Sequence, residues 1–416
     1  MDGSVNKESI KFLAADSLVR TESLIQPIDI LLDGSEDSAN ALRPYFSFIN
    51  KIIDADNLIV LAGSGTSLTF NVNGKPQIAP SMADLWAYCK AADAKLFNQV
   101  LNAVGYHKVA QSLGATNLSQ DIELLLSLCD SHLELKHLSN TRLGQLRRFI
   151  AGAKKVIRER TSFTSSVPTD LWQHHDRFIR TLAKRSQKQK RLKLFTTNYD
   201  LAFEVAASNT GMIVIDGFEY TIPARFNPAW FNFDIVNRAG VADRTETYLS
   251  NVFQLYKIHG SVDWVRGISG IEKRSLYSTN DEPVFIYPSS SKYQVSYETP
   301  YLDMMSALLD ALQKPKTALL CIGFGFNDKH INNAISMALR TNPEFMVMAS
   351  TKAPFDEKGS FNRDIRKLLV QAIGHGDTRI SIVDSTFDIF SKLLPERHKS
   401  TPEDDLFKLF SKLIQA

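Results

Sequence analysis

The feature that most restricts this chain is a recurring kind of segment: a short run of β-branched and apolar residues that ends at glycine or a small polar residue. Such runs occupy Asn57–Ala62, Leu192–Thr197, Met212–Ile215, Phe253–His259, Val284–Tyr287, Ala318–Ile322, Phe345–Ala349 and Ile380–Asp384. A run that is apolar at both alternating positions suits a strand covered on both faces, as in a parallel sheet flanked by helices. The spacing between runs leaves room for helical crossovers, which predicts an α/β fold with a Rossmann-like doubly wound parallel sheet.

The interval from Ser67 to Leu192 is far longer than the dozen or so residues that a crossover needs. Its pattern is helical. Phe97, Val100, Leu101 and Val104 share one face and meet Gly105 as a stop. Asn117 and Gln120 fit a capping box, followed by the apolar face of Ile122, Leu125, Leu126 and Cys129. Leu146, Phe149, Ile150, Ala153 and Ile157 make a third face. The expected organisation is an arm at 1–45, loosely structured with a helical piece. A Rossmann domain follows over 46–84 and 190–395, interrupted by a helical insertion at 85–189, and 396–416 form a carboxyl-terminal helix. That last helix is read from Thr401 as N-cap, Pro402 at the first helical position, acidic residues in the first turn, and the stripe Leu406, Leu409, Phe410, Leu413. The basic run Lys184–Lys193 reads as a solvated linker.

Composition excludes several classes. With 48 basic against 45 acidic residues the net charge is +3, so no overall field demands nucleic acid or an anionic membrane. No run approaches the roughly 20 apolar residues that span a bilayer. Cys89, Cys129 and Cys321 are scattered without metal-ligand spacing, and a reducing cytoplasm is the expected location.

Several strand ends carry polar or glycine clusters. Leu61–Ser67, LAGSGTS, feeds a strand into a turn with Gly63 and Gly65, whose missing side chains let backbone N–H groups approach phosphate or ribose oxygens; a tight strand-to-helix turn would explain it equally. Leu194–Asp200, LFTTNYD, ends in Thr196, Thr197, Asn198 and Asp200, which bind a ligand or close a turn. Tyr256–Trp264, YKIHGSVDW, places His259 before a Gly-Ser turn, as a packing residue or a base. CIGFGFNDKHI adds Gly323, Gly325, Asn327 and Asp328, with His330 expected on the surface of the next helix. Val284–Tyr293 ends a strand with Pro288, three serines and Lys292, suited to a loop over a polar ligand. Core packing does not ask four strands of one sheet to end this way. The set points to one ligand site along the strand edge.

These residues resemble the sirtuin family, and more closely its bacterial sirtuin-like branch of NAD-consuming defence effectors. AGSGTS looks like the family's GAGxS loop at Gly63, Gly65 and Ser67; TTNYD is similar to its TQNxD motif at Thr196, Asn198 and Asp200, with Thr197 replacing glutamine. IHGS matches the histidine-glycine motif at His259, Gly260 and Ser261, and GFGFND looks like the late glycine turn of the sirtuin-like branch. The chain departs from the deacylating sirtuins in lacking four zinc-ribbon cysteines and the proline-aspartate-phenylalanine-arginine stretch, although Trp86 resembles an aromatic of the defence branch. The resemblance implies NAD as substrate and no zinc. Gly63, Ser64, Gly65, Thr66, Ser67, Thr197, Asp200, Gly323, Phe324, Gly325 and Asp328 would contact NAD, and Asn198 and His259 would be catalytic.

The chemistry suits that assignment. Nicotinamide leaves NAD as a neutral molecule from a cationic pyridinium, so the glycosidic bond needs no paired carboxylates. An imidazole with an intrinsic pKa near 6.5 can take a proton from water or a ribose hydroxyl. Asn198 can hold that water or the ribose, and Asp200 can fix polar groups near the nicotinamide. The expected function is NAD glycohydrolysis to nicotinamide and ADP-ribose in anti-phage defence. The resemblance implies a homo-oligomer under a HerA-type hexameric ATPase, or alternatively a short Argonaute, with DNA reached through the partner and no membrane. The alternatives are a non-catalytic subunit that senses NAD or ADP-ribose, and an NAD-dependent deacylase.

Overall fold

The computed structural model describes residues 8–21, 24–72, 75, 77–112, 120–186, 189–237, 247–268, 270–274, 283–285, 299–357 and 359–395. Three strands open the chain, β1 (Ser9–Ala14), β2 (Leu18–Thr21) and β3 (Leu24–Leu31), followed by α1 (Glu36–Asp54). β4 (Asn57–Ala62) runs directly into the short α2 (Ser64–Leu68). A helical stretch comes next: α3 (Met82–Ala92), α4 (Ala94–Ala103), α5 (Tyr106–Ser112), α6 (Ile122–Leu135), α7 (Asn140–Thr161) and α8 (Gln173–Ala183). The chain then returns to β5 (Lys193–Thr196), α9 (Ala202–Asn209) and β6 (Ile213–Ile215). The short strands β7 (Ala224–Arg225), β8 (Val236–Asn237) and β9 (Thr247–Tyr248) lead to β10 (Val252–Lys257). β11 (Gly260–Gly267), β12 (Gly270–Lys273) and β13 (Pro283–Phe285) follow. Three strand–helix units complete it: α10 (Tyr301–Gln313), β14 (Thr317–Ile322) and α11 (Lys329–Thr341), then β15 (Met346–Thr351) and α12 (Arg363–Gly374), then β16 (Ile380–Asp384) and α13 (Phe387–Lys392).

Among the described residues the main sheet has ten strands in the order β2-β3-β1-β16-β15-β14-β4-β5-β10-β6. From β16 to β6 every pairing is parallel. The period of two sorts its side chains onto two cores. In β4, Leu58, Val60 and Ala62 join α1, α8, α9 and α13 on one face, while Ile59 and Leu61 join α10, α11 and α12 on the other. Helices on both faces of a mostly parallel sheet are the expected doubly wound architecture.

The helical stretch has its own core. Trp86, Phe97, Tyr106, Leu125, Cys129, Phe149 and their neighbours cluster with Tyr199, Val262 and Phe285, so this core rests directly on the strand ends of the sheet domain. Trp86 sits inside it, against Phe97 and Tyr106 at ring-centroid distances of 4.9 and 5.0 Å. α8 does not belong to that core: Phe178, Ile179, Leu182 and Ala183 pack on the sheet.

Several expectations are corrected. The amino-terminal segment is not a loose arm: β1 pairs antiparallel with β16 and with β3, and Phe12 and Leu13 are fully buried, so it extends the sheet. The strand at Val284 belongs to a separate sheet of order β13-β11-β12-β7, antiparallel rather than part of the wound sheet. The N-cap of α6 is Asp121, whose side chain accepts from Leu124 N; Asn117 lies outside the described residues. The basic run is not wholly solvated. Arg185 is buried and donates to the carbonyls of Ile53, Ala55 and Lys190, placing a cation at the carboxyl end of α1. The expected carboxyl-terminal helix from Thr401 and the Pro288–Lys292 loop lie outside the described residues. Among the described residues no helix is long and apolar enough to cross a membrane.

Candidate active site

β14, β4, β5 and β10 are consecutive neighbours and all parallel, so Ile322, Ala62, Thr196 and Lys257 end along one edge. The chain winds outward from β4 through β5 on one side and from β14 through β15 and β16 on the other. The reversal between β4 and β14 is where open α/β sheets leave a crevice for ligands.

Two glycine turns interlock at that reversal. Gly63 N donates to Ile322 O at 3.0 Å and Gly65 N to Gly323 O at 2.9 Å. A Cβ on Gly63 would sit 2.6 Å from Gly323 O, and one on Gly65 2.6 Å from Gly323 Cα. Gly323 itself has φ +58. The glycines are thus required by backbone-to-backbone contact of two loops, a reason distinct from the ligand approach that the sequence suggested.

Asn198 knits this pair of turns to β5. Its Nδ2 donates to Gly63 O at 3.1 Å and faces Thr66 Oγ1 at 3.1 Å and Ser67 Oγ at 2.9 Å. Gly63 O can only accept, so the amide nitrogen must face it, which directs Oδ1 away from the loop. Ser67 Oγ donates to Asp200 Oδ2 at 2.7 Å, and Asp200 Oδ1 accepts from Ala202 N at 3.0 Å at the start of α9. Thr66 is fully buried and donates to Gly63 O, Ser64 is exposed, and Thr197 is partly buried with its N–H on Ala62 O.

His259 stands just beyond β10. Its Nε2 lies 3.2 Å from Asp328 Oδ2, and both side chains are buried. Asp328 uses its other oxygen to cap α11, accepting from His330 N at 2.8 Å and Ile331 N at 3.2 Å. Asp328 thus joins the start of α11 to the His259 ring. Burial opposes charge on the His259 ring, but the Asp328 hydrogen bond and the negative charges of Glu123 and Asp328 outweigh it and raise its pKa. Burial likewise pushes the Asp328 carboxyl up, while His259 and the two backbone N–H groups bring it below the ordinary value. Gly260 follows with φ +86, and a Cβ there would collide with Val284 O, which explains the glycine after the histidine.

Three further residues escaped the sequence reading. Lys257 is buried, and its Nζ donates to Tyr199 O, Asp200 O and Glu204 Oε1, the last at 3.2 Å, so it fixes the Asn198–Asp200 turn from below. A lysine closing a mostly apolar strand, with Gln254 as its other polar residue, was the available signal. Tyr199 donates its hydroxyl to Glu123 Oε1 at 2.6 Å. Glu123 belongs to α6 and carries no local signal, because only the tertiary fold brings the helical stretch over the strand ends. Burial raises the Glu123 carboxyl to about 7; the His259 charge and the Tyr199 hydroxyl act to lower it, Asp121 and Asp328 to raise it. Phe324, expected at the ligand, packs into the core against Phe326 at 5.0 Å, and Gly325 closes against Asn327 and Ser360. His330 is exposed on α11.

Residues 192–373 match the SIR2-like domain. The SIR2-like span runs from β5 to α12 and takes in Asn198, Asp200, His259, Gly323 and Asp328, while the Gly63–Ser67 loop precedes it. The match spans less than half of the chain and accords with its Rossmann-like sheet. No curated protein matches the chain. A solved structure, cytosolic 5'-nucleotidase IIIB bound to cytidine, aligns over 91% of this chain and 94% of that one at 9% identity and a TM-score of 0.30, too low to carry an argument. Among the described residues no group of three or more His, Cys, Asp or Glu side chains is arranged to hold a metal ion, and all three cysteines are free and buried.

Proposed function

We propose that the protein is an NAD glycohydrolase that cleaves NAD to nicotinamide and ADP-ribose. The observation that carries this reading is a buried histidine oriented by a carboxylate at the strand edge of a SIR2-like domain, on the same edge as Asn198. In the neutral ring Nε2 donates its proton to Asp328, which leaves Nδ1 as the basic atom. The bond between ribose C1′ and the nicotinamide nitrogen breaks with its electron pair going to nicotinamide. A water oxygen bonds to C1′, and its proton passes to His259 Nδ1. The free Oδ1 of Asn198 is suited to hold that water or a ribose hydroxyl.

The resemblance to defence effectors extends this reading to NAD depletion during phage infection, by a cytoplasmic homo-oligomer under a HerA-type ATPase or a short Argonaute, with DNA sensed by the partner. NAD incubated with wild type, Asn198→Ala and His259→Ala, alone and with such an ATPase and DNA, is separated by chromatography. Wild type is expected to release nicotinamide and both variants to lose about 10²-fold or more, the usual scale of a general base. NAD bound equally by wild type and His259→Ala, with no product from either under any condition, would replace this reading with a sensing role.

A further inference from the structure

The Asn198–Asp200 turn holds an aromatic residue where a loop side chain would ordinarily face solvent. Tyr199 is buried instead, with its ring in the core of the helical stretch and 4.6 Å from that of Phe285. Its hydroxyl donates to Glu123 Oε1 at 2.6 Å, a length typical of a hydrogen bond to a carboxylate. That acceptor is anchored in turn. Glu123 stands in the first turn of α6, next to the Asp121 cap, and Asp121 N donates to Tyr106 Oη at 3.1 Å. The backbone of the same tyrosine reaches the histidine's surroundings. Tyr199 O accepts from Val262 N at 3.0 Å, and from Lys257 Nζ and Ser261 Oγ at 3.4 Å, donors that lie on either side of His259 in the chain, and Phe285 pairs with Gly260.

We propose that Tyr199 is a positioning residue, through which the helical stretch fixes Asn198 relative to His259. It shares a peptide bond with Asn198, its carbonyl is held by the strand that follows His259, and its hydroxyl is held by α6, so the three parts meet in one residue. Val262 N and Lys257 Nζ bond the carbonyl whatever the side chain is. The hydroxyl bond adds the one restraint that only the helical stretch supplies. Losing it leaves the ring in its apolar contacts and lets the turn shift against α6. Two groups that act on one water tolerate little of this, since about 1 Å of misplacement costs on the order of 10²-fold in rate. The helical stretch is then a wall of the site, and one hydroxyl carries its position to the turn. The effect on turnover rests on the glycohydrolase reading; the hold on the turn does not.

Amide hydrogen exchange reads the turn directly, at Thr197 N, Asn198 N and Ala202 N, which donate to Ala62 O, Thr196 Oγ1 and Asp200 Oδ1. It is measured beside kcat and KM for nicotinamide release. The proteins are wild type, Tyr199→Phe, Glu123→Ala and Glu123→Gln, whose amide oxygen still accepts from the hydroxyl. Tyr199→Phe and Glu123→Ala are expected to speed exchange in the turn about tenfold, the scale of one lost hydrogen bond to a charged group, while strand Thr317–Ile322 keeps its wild-type rate. Both should lower kcat about tenfold with KM little altered. Glu123→Gln should recover most of what Glu123→Ala loses, and Tyr199→Phe carries the test where a Glu123 variant fails to fold. Exchange in the turn that is unchanged in Tyr199→Phe, or raised no more than in Thr317–Ile322, overturns the proposal, as does faster exchange with wild-type kcat. Faster exchange confined to the turn, with no nicotinamide released by any of the proteins, upholds the hold on the turn and removes the glycohydrolase reading instead.

Discussion

Two buried histidines in this chain behave in opposite ways, and partners rather than burial decide which. His259 bonds the Asp328 carboxylate, and its pKa rises despite burial. His175 on α8 is fully buried, stacked on Phe70 at 4.4 Å and surrounded by Trp172, Phe203 and Phe387, with no hydrogen-bond partner for either ring nitrogen. Burial, reinforced by the neighbouring His174, pushes it down from 6.5 to about 3. The sign follows from linkage. The unfolded chain binds a proton below 6.5 that the folded ring refuses until about 3, so its stabilising effect is complete above 6.5 and is lost as pH falls. Between those limits it should remove about 1.4 kcal/mol of stability per pH unit. His175→Phe fits the aromatic cage and removes an unsatisfied polar group, which should leave neutral stability unchanged or raised by about 1 kcal/mol. Denaturant unfolding at pH 7 and pH 5 checks this. A variant with the same acid sensitivity as wild type would show that other groups cause it.

At the scale of elements, the junction of β4–α2 with β14–α11 explains why part of the site was legible and part was not. Glycines after a buried strand and a polar Thr-Thr-Asn-x-Asp turn are local patterns, so Gly63, Gly65, Asn198, Asp200, Gly323 and the edge they share could be read directly. What those glycines touch could not, because Gly65 and Gly323 meet only after a parallel sheet has brought β4 beside β14. Lys257 was hidden by a similar cause: its partners lie on the neighbouring strand's turn and on α9. The interlock makes a graded prediction. Gly323→Ala meets Thr66 N at 2.7 Å at φ +58 and should destabilise by about 2 kcal/mol or more, from steric clash added to left-handed strain. Gly376→Ala has φ +94 with nothing within 4 Å, so strain alone applies, about 1 kcal/mol. Equal unfolding midpoints for the two variants would refute the interlock as the reason for Gly323.

At the scale of the whole molecule, the wound sheet announced itself through strands such as Asn57–Ala62 and Ala318–Ile322, whose apolar runs carry their fold in their own composition. The amino-terminal strands did not, because they interleave polar residues. In Ser9–Ala14 only alternate positions and the carboxyl end are buried, and β3 carries Gln26, Pro27 and Asp29. Their strand character comes from pairing with β16, whose sequence lies at the far end of the chain. That pairing is a stability argument. Ile10, Phe12, Leu13 and Ile30 are at most 1% exposed, and Phe12 meets Tyr45 of α1 at 5.9 Å. At about 1.5–3 kcal/mol for each buried side chain, the four together contribute roughly 6–12 kcal/mol, as large as the roughly 5–15 kcal/mol that holds a typical domain folded. Removing residues 1–31 would also open the β16 edge, with its backbone groups ready to pair with another chain. The truncated protein should therefore aggregate or lose cooperative unfolding, while Phe12→Ala in the full chain should lose about 3–5 kcal/mol. Cooperative unfolding of the truncated protein at the wild-type midpoint would mean that the first strands only decorate a sheet that is stable from β16 to β6.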